Sequence, residues 1–283
     1  QKTAYEMQRS LGGLEMCIRD RYGSGRLDGK NAIVMEWIEG ETLATAIRHL
    51  SIDDENRLSP LTVAQLGRDL FALLARMEIL EDGIVHRDIS TSNIMIDTST
   101  RTLDEQVESG SFDLKLVDFG SAVLPARSSS LTQRYGMPRG ATPDFAPPEM
   151  LTEDIANVST MRKSSAVDVY AAASVLYLLL SGHTPFDLGK NEEGERSYYL
   201  TKTERLPRGL KSAHAASTAI DIILEHEPQT AKLVRKAAQR IGEQPTERKV
   251  AAALSAVDGQ LNDVILACLD SCLLYTSDAA DEL

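Results

Sequence analysis

Two short strings constrain this chain more than anything else in it. They are His86-Arg87-Asp88-Ile89-Ser90-Thr91-Ser92-Asn93 and, further along, Asp118-Phe119-Gly120. Ile94-Met95-Ile96 and Leu114-Lys115-Leu116-Val117 lie between them and read as two short strands flanking the site. A carboxylate, an amide five residues later and an aspartate opening a Gly-containing turn form the set that metal-assisted phosphoryl transfer needs. Asp88 is able to accept the proton of an attacking hydroxyl. Asn93 and Asp118 are able to hold Mg²⁺ against the phosphates of ATP. One tripeptide arises easily by chance; both strings in this order, with strands between them, carry information.

The flanking patterns place the strings on a fold. Val63, Leu66, Leu70, Leu73, Leu74, Met77 and Leu80 recur at helical spacing, and Ser59-Pro60 is a helix start signal. Ala32-Ile33-Val34-Met35 reads as an apolar strand that ends at a Gly-containing break, Gly40. The polar stretch 97–113 is expected to be an exposed hairpin insertion without chemistry. The apolar run 171–180 falls well short of the roughly 20 residues a bilayer span takes, so it reads as a buried helix. Residues 189–196 read as a charged loop, and 212–270 as several helices with Ala- and Leu-rich core faces. No internal repeat is visible.

On these residues the chain resembles the protein kinase family, most closely the eukaryotic-type Ser/Thr kinases of bacteria, from about residue 22 to 270. The resemblance implies an α+β, protein kinase-like fold, mainly its helical C-terminal lobe with a remnant of the small N-terminal β lobe. It divides the chain into a displaced or artefactual segment 1–21, a small-lobe remnant and hinge 22–38, a large lobe 39–271 and a tail 272–283. It makes Met35 the gatekeeper, gives adenine the backbones of Glu36 and Ile38, and lays Met95 beneath it as a floor. Ala141-Thr142-Pro143-Asp144-Phe145-Ala146-Pro147-Pro148-Glu149 matches the end of an activation segment, with Pro147 where the family usually has Ala. Thr142 would bond Asp88, which points to Ser/Thr rather than Tyr acceptors. Glu149 would pair with Arg248, since a buried charge needs a partner. Asp168 would accept hydrogen bonds from the backbone around His86 and Arg87. Phe119 and Gly120 complete the metal turn. Arg87 implies control by a phosphate on Ser128, Ser129, Ser130 or Thr132, with Arg134 and Arg139 adding charge.

The chain departs from the family in two places. Ser90 stands where most Ser/Thr kinases carry a lysine that neutralises the transferring phosphate. Its hydroxyl donates one hydrogen bond but no charge. No Gly-rich phosphate loop precedes the hinge, and Lys2 and Glu6 are weak substitutes for the strand lysine and its glutamate partner. The strings 16–20 and 272–277 can be encoded by DNA in which each contains the reverse complement of most of the other. That is a mark of translated transposon-end adapter, so both ends are set aside from fold reasoning.

Composition narrows the rest. A net charge of −12 and a pI near 5.0 argue against a nucleic-acid surface. Of three cysteines, Cys17 and Cys272 lie in the adapter-like strings; Cys268 alone implies no disulfide framework and fits a reducing cytoplasm. No membrane segment is expected in this chain, although relatives often carry one after the kinase domain. The expectation is therefore an ATP- and Mg²⁺- (or Mn²⁺-) dependent protein Ser/Thr kinase acting on protein hydroxyls, itself included. The alternatives are a small-molecule phosphotransferase of the aminoglycoside or choline kinase type and a catalytically impaired kinase-like binding module.

Overall fold

A computed structural model describes residues 21–27, 30–35, 37–79, 83–125, 141–154, 156–189, 198–210, 224–225 and 228–278. In chain order these hold β1 (Arg21–Leu27), β2 (Lys30–Met35), β3 (Gly40–Thr42), α1 (Leu43–Leu50), α2 (Pro60–Ile79), β4 (Ile94–Asp97), α3 (Leu103–Ser109), β5 (Leu114–Leu116), α4 (Ala166–Ser181), α5 (Tyr198–Glu204), α6 (Pro228–Arg240) and α7 (Glu247–Asp278). β1 and β2 form an antiparallel hairpin running from the pair Arg21 and Met35 to the pair Leu27 and Lys30. A second antiparallel sheet has the order β3-β4-β5.

The helical body follows from the periodicity. Ser59 Oγ accepts from the Thr62 N–H at 3.2 Å, with Pro60 in the first turn, where its missing N–H costs nothing. Val63, Leu66, Leu70, Leu73, Leu74 and Met77 then lie on one buried face of α2. That face packs on α4, which is apolar on all sides and buried almost throughout. Gly67 permits the close crossing: a Cβ there would sit 2.9 Å from Leu176 Cδ1. α4 stops at Gly182, whose φ of 76° suits glycine and whose N–H closes on the Leu178 carbonyl at 2.8 Å.

The stretch 97–113 is not the exposed hairpin that its polarity suggests. Thr102 and Glu105 cap each other's backbone in a capping box, α3 follows, and Gly110 ends it with φ 66°. Gln106 is fully buried: its amide donates to the Asp97 and Arg101 carbonyls and accepts from the Asp113 N–H. The Asp69 carboxylate on α2 takes the Phe112 N–H at 2.7 Å, which ties this insertion to the helical body.

In α7 the stretch Glu247–Leu269, of mean hydropathy 1.3, is long and apolar enough by length and composition to cross a membrane. Part of its apolar face is buried, while Val264 and Leu266 are exposed. Ile265 and Leu269 join the main core with α2 and α4, while Val250, Ala251 and Leu254 pack with Ala231 of α6. α7 continues as one helix to Asp278.

Candidate active site

The β3-β4-β5 sheet carries the site. Asn93 enters β4 and Asp118 follows β5, and the Val117 N–H donates to the Asn93 carbonyl at 3.0 Å, so the two candidate metal residues emerge side by side. The Val117 carbonyl faces His86 Nε2 at 3.1 Å. Because the Asp88 N–H donates to His86 Nδ1 at 3.3 Å, the ring is a neutral imidazole with its proton on Nε2, donated to Val117. Burial depresses the His86 pKa, in agreement with that state. Its ring meets Phe119 edge-on at 4.6 Å between centroids. His86 thus joins the loop carrying Asp88 to the strand ending at Asp118.

Asp168, in the first turn of α4, supports the same loop from below. Its Oδ2 accepts the His86 N–H at 2.7 Å and its Oδ1 the Arg87 N–H at 2.8 Å. Burial pushes this carboxyl up to about 7 against the pull of the two N–H donors and Arg87. Arg87 is buried, has φ 67°, and donates through Nε to the Ser121 carbonyl at 2.6 Å. Burial and the neighbouring Arg162 charge lower it to about 10, so it remains a cation at neutral pH. Asp118 also has φ 62°, with its Oδ1 accepting the Gly120 N–H at 3.1 Å. Among described residues Arg87, Asp118 and Asn56 are the non-glycines with positive φ, and two of these three lie in the two strings. Strain of about 1–3 kcal/mol at each persists only where surrounding contacts hold it.

Asp88 is half-buried and held on both oxygens. Oδ1 accepts from the Thr142 N–H and the Thr142 hydroxyl, each at 2.8 Å, and Oδ2 from Asn93 Nδ2 at 3.1 Å. The same Asn93 amide nitrogen donates to the Asp88 carbonyl at 2.8 Å, which turns its oxygen away from the loop. That oxygen and the exposed Asp118 carboxylate would supply an all-oxygen donor set. It suits Mg²⁺, which takes one or two protein oxygens and fills its sphere with phosphates and water. Among described residues no cluster of three or more His, Cys, Asp or Glu competes for a metal.

Two expectations need correction. Arg248 does not pair with Glu149. It is exposed in the first turn of α7, while Glu149 is buried beside Arg162, whose Nε donates to the Glu149 carbonyl at 2.7 Å and whose Nη2 donates to the Thr152 carbonyl at 2.8 Å. Burial lowers the pKa of both Arg162 and Lys202, and the Glu149 charge opposes that shift in each, which places those cations around it. Ser90 is only 2% exposed, so it is not displayed as an open phosphate donor; its carbonyl accepts the Asn93 N–H at 3.0 Å and holds the loop.

The residues expected to meet adenine are partly described. Ile38 is buried and its neighbour Trp37 exposed, and Met95 lies in β4 between Thr42 and Lys115. Met35 ends β2; Glu36, Ser128, Ser129, Ser130, Thr132, Arg134 and Arg139 lie outside the described residues. Sequence reasoning missed Arg162 and Lys202. Both sit in polar strings that look like surface, and no local signal distinguishes a lysine that tertiary packing buries from one it leaves in water.

Comparison with known proteins points to one family. The protein kinase domain family matches residues 16–253. The chain is 34% identical over 166 residues to the serine/threonine-protein kinase PkaB of Streptomyces coelicolor, covering 58% of this chain and 34% of that protein. It is 31% identical over 172 residues to PkaA of the same organism, covering 61% and 26%. A third relative, the serine/threonine-protein kinase PKZ1 of Phytophthora infestans, is 31% identical over 197 residues, covering 66% and 43%. The chain therefore spans less than half the length of each of these relatives.

Proposed function

The chain belongs to the protein kinase family, in its eukaryotic-type Ser/Thr branch, and from that premise we propose that its site transfers the γ-phosphoryl group of ATP to Ser or Thr hydroxyls of proteins. The observation that carries this is the Asp88 carboxylate. Thr142 occupies Oδ1 twice and Asn93 occupies Oδ2 once, which leaves an Oδ2 lone pair to accept from an incoming hydroxyl. The threonine beside the acceptor position favours a short aliphatic hydroxyl over a tyrosine ring.

In the reaction the acceptor oxygen bonds to the γ-phosphorus as the bridging β–γ P–O bond breaks. The electron pair leaves with ADP, and the hydroxyl proton passes to Asp88 and then to solvent. A carboxylate is a weak base, so Asp88 contributes mainly by orienting the nucleophile. ATP with a divalent ion supplies the reacting phosphoryl group and part of its charge neutralisation; Asn93 and Asp118 are the residues that would hold the ion. His86 and Asp168 keep both arms of the site in register. No lysine follows Asp88, so this stretch stabilises the developing charge less than its relatives with lysine do. Arg87 and the Ser/Thr residues 128–132 extend the proposal to control by autophosphorylation.

The test uses the intact gene product. Asp88→Asn should lower transfer of labelled phosphate from ATP to protein by about 10²–10⁴-fold. Undiminished transfer removes Asp88 from the mechanism.

A further inference from the structure

Lys202 is the one lysine among the fully buried side chains of the described residues, and the phosphoryl-transfer scheme does not use it. It projects from α5 into the end of the activation segment. Its Nζ donates to the Ala146 carbonyl at 2.6 Å and to the Asp144 carbonyl at 3.3 Å. The Tyr170 and Phe186 rings lie 5.5 and 5.6 Å from it. An ammonium is costly to bury, and an apolar side chain would fill this hole with less penalty, so its contacts need a reason.

The segment it holds supplies one. Residues 142–149 contain Pro143, Pro147 and Pro148, so three backbone donors are missing from the segment, and the Asp144 and Ala146 carbonyls are met by the Lys202 ammonium. The turn is closed by the Phe145 and Ala146 N–H groups, both donating to the Thr142 carbonyl at 3.0 Å. Thr142 in turn makes two bonds to Asp88. A continuous chain of hydrogen bonds thus runs from the Lys202 ammonium through Ala146 and Thr142 to the carboxylate that receives the acceptor hydroxyl.

We propose that Lys202 is a positioning residue for the phosphoryl acceptor: its cation clamps the carbonyls of the proline-rich turn and so fixes Thr142, and with it Asp88, in the geometry that accepts a Ser or Thr hydroxyl. This rests on the kinase reading of Asp88. Burial holds Lys202 down to about 7, against the Asp144 and Glu149 carboxylates, which pull it up. Its surroundings are Asp144 and Glu149 of the segment, Arg162 beside Glu149, and the two rings. The clamp therefore loses its charge near neutral pH, and charge-assisted bonds are about twice as strong as neutral ones.

Two measurements test this, and one needs no phosphate transfer. Amide hydrogen exchange of Phe145 and Ala146 is compared with that of Leu176 and Tyr177 in α4. In the wild type, after correction for intrinsic rates, the two turn amides should exchange faster relative to α4 at pH 8.5 than at pH 6. In Lys202→Met, which keeps the apolar stem, they should speed up about tenfold at pH 6 and by less at pH 8.5. In kinetics with the full-length protein, Lys202→Met should lower kcat/KM for the protein acceptor about tenfold, and leave the KM for ATP within twofold. Lys202→Arg, charged at every pH, should flatten the fall of acceptor kcat/KM above pH 7. Turn amides that ignore both pH and the Met substitution overturn the proposal, as does an equal loss for ATP and acceptor. A wild type that transfers no phosphate to protein defeats the kinase reading, and the exchange data alone then decide whether Lys202 clamps the turn.

Discussion

Replacing Asp168 by asparagine tests how the site is held. The carboxylate gives one oxygen to the His86 N–H at 2.7 Å and the other to the Arg87 N–H at 2.8 Å, all of it buried. Asparagine keeps the shape and one acceptor but turns an NH₂ toward the second N–H. One charge-assisted bond of about 1.5–3 kcal/mol is lost, and a buried donor is left unmet at about 1–3 kcal/mol. Burying a neutral amide instead of a carboxylate returns part of this, because burial already works against the charge of Asp168. A net loss of about 3 kcal/mol follows, which lowers Tm by roughly 6–12 °C for a body of this size. Asp168→Ala, with both acceptors gone, should lose about 5 kcal/mol by the same rule. The Arg87 backbone, at φ 67°, is then no longer held and relaxes, so phosphate transfer should fall more than stability alone explains. Urea unfolding with linear extrapolation reads the stability term. An Asp168→Asn protein within 0.5 kcal/mol of wild type, at equal m-value, would refute the claim that this carboxylate holds the loop.

Arg162→Gln removes donors from the buried Glu149 and Thr152 carbonyls and should cost about 2–4 kcal/mol, while Arg248→Gln on the surface should stay within about 0.5 kcal/mol. The reverse order in denaturant melts would restore the Glu149–Arg248 pair. Gly40→Ala should cost about 3 kcal/mol or more and loosen the β3–β4 edge: its φ is 136° and a Cβ would lie 2.0 Å from the Ile96 carbonyl oxygen. A Tm unchanged by that substitution contradicts the strand geometry. His86 has a depressed pKa in the fold, so the unfolded chain takes up a proton that the folded chain refuses. Its contribution is full above the unfolded value of about 6.5 and is lost as pH falls below it. Asp168, raised to about 7, acts with the opposite sign between about pH 4 and 7, so the measurement is a difference. His86→Phe should lose less stability than wild type between pH 7.5 and 5.5, and parallel curves would show that His86 does not titrate with unfolding.

The helices and the two strings were legible because their signals are local. The spacing of Val63 through Met77 is a property of one face of one helix, and Asp88, Asn93 and Asp118 carry their chemistry in residue type and order. The helix in 103–109 was legible too, in Thr102-Leu103-Asp104-Glu105, but the polarity around it suggested a loop. The fate of the charged residues was not legible. Arg248 and Arg162 are both arginines in polar surroundings, and Lys202 lies in Tyr-Tyr-Leu-Thr-Lys-Thr-Glu, which reads as an ordinary amphipathic turn.

By itself the sequence determined which atoms are available: two carboxylates and an amide in a fixed order, an apolar helix to bury, and prolines that remove three backbone donors from the acceptor turn. Only the tertiary structure decided which cation meets Glu149, that Ser90 holds the loop through its carbonyl, and that Lys202 reaches the turn beside Asp88. The physical reason is range. Helix periodicity and turn chemistry act over a few residues, whereas burial of a charge depends on what packs around it, and the bond from Lys202 to Ala146 closes across 56 positions of chain.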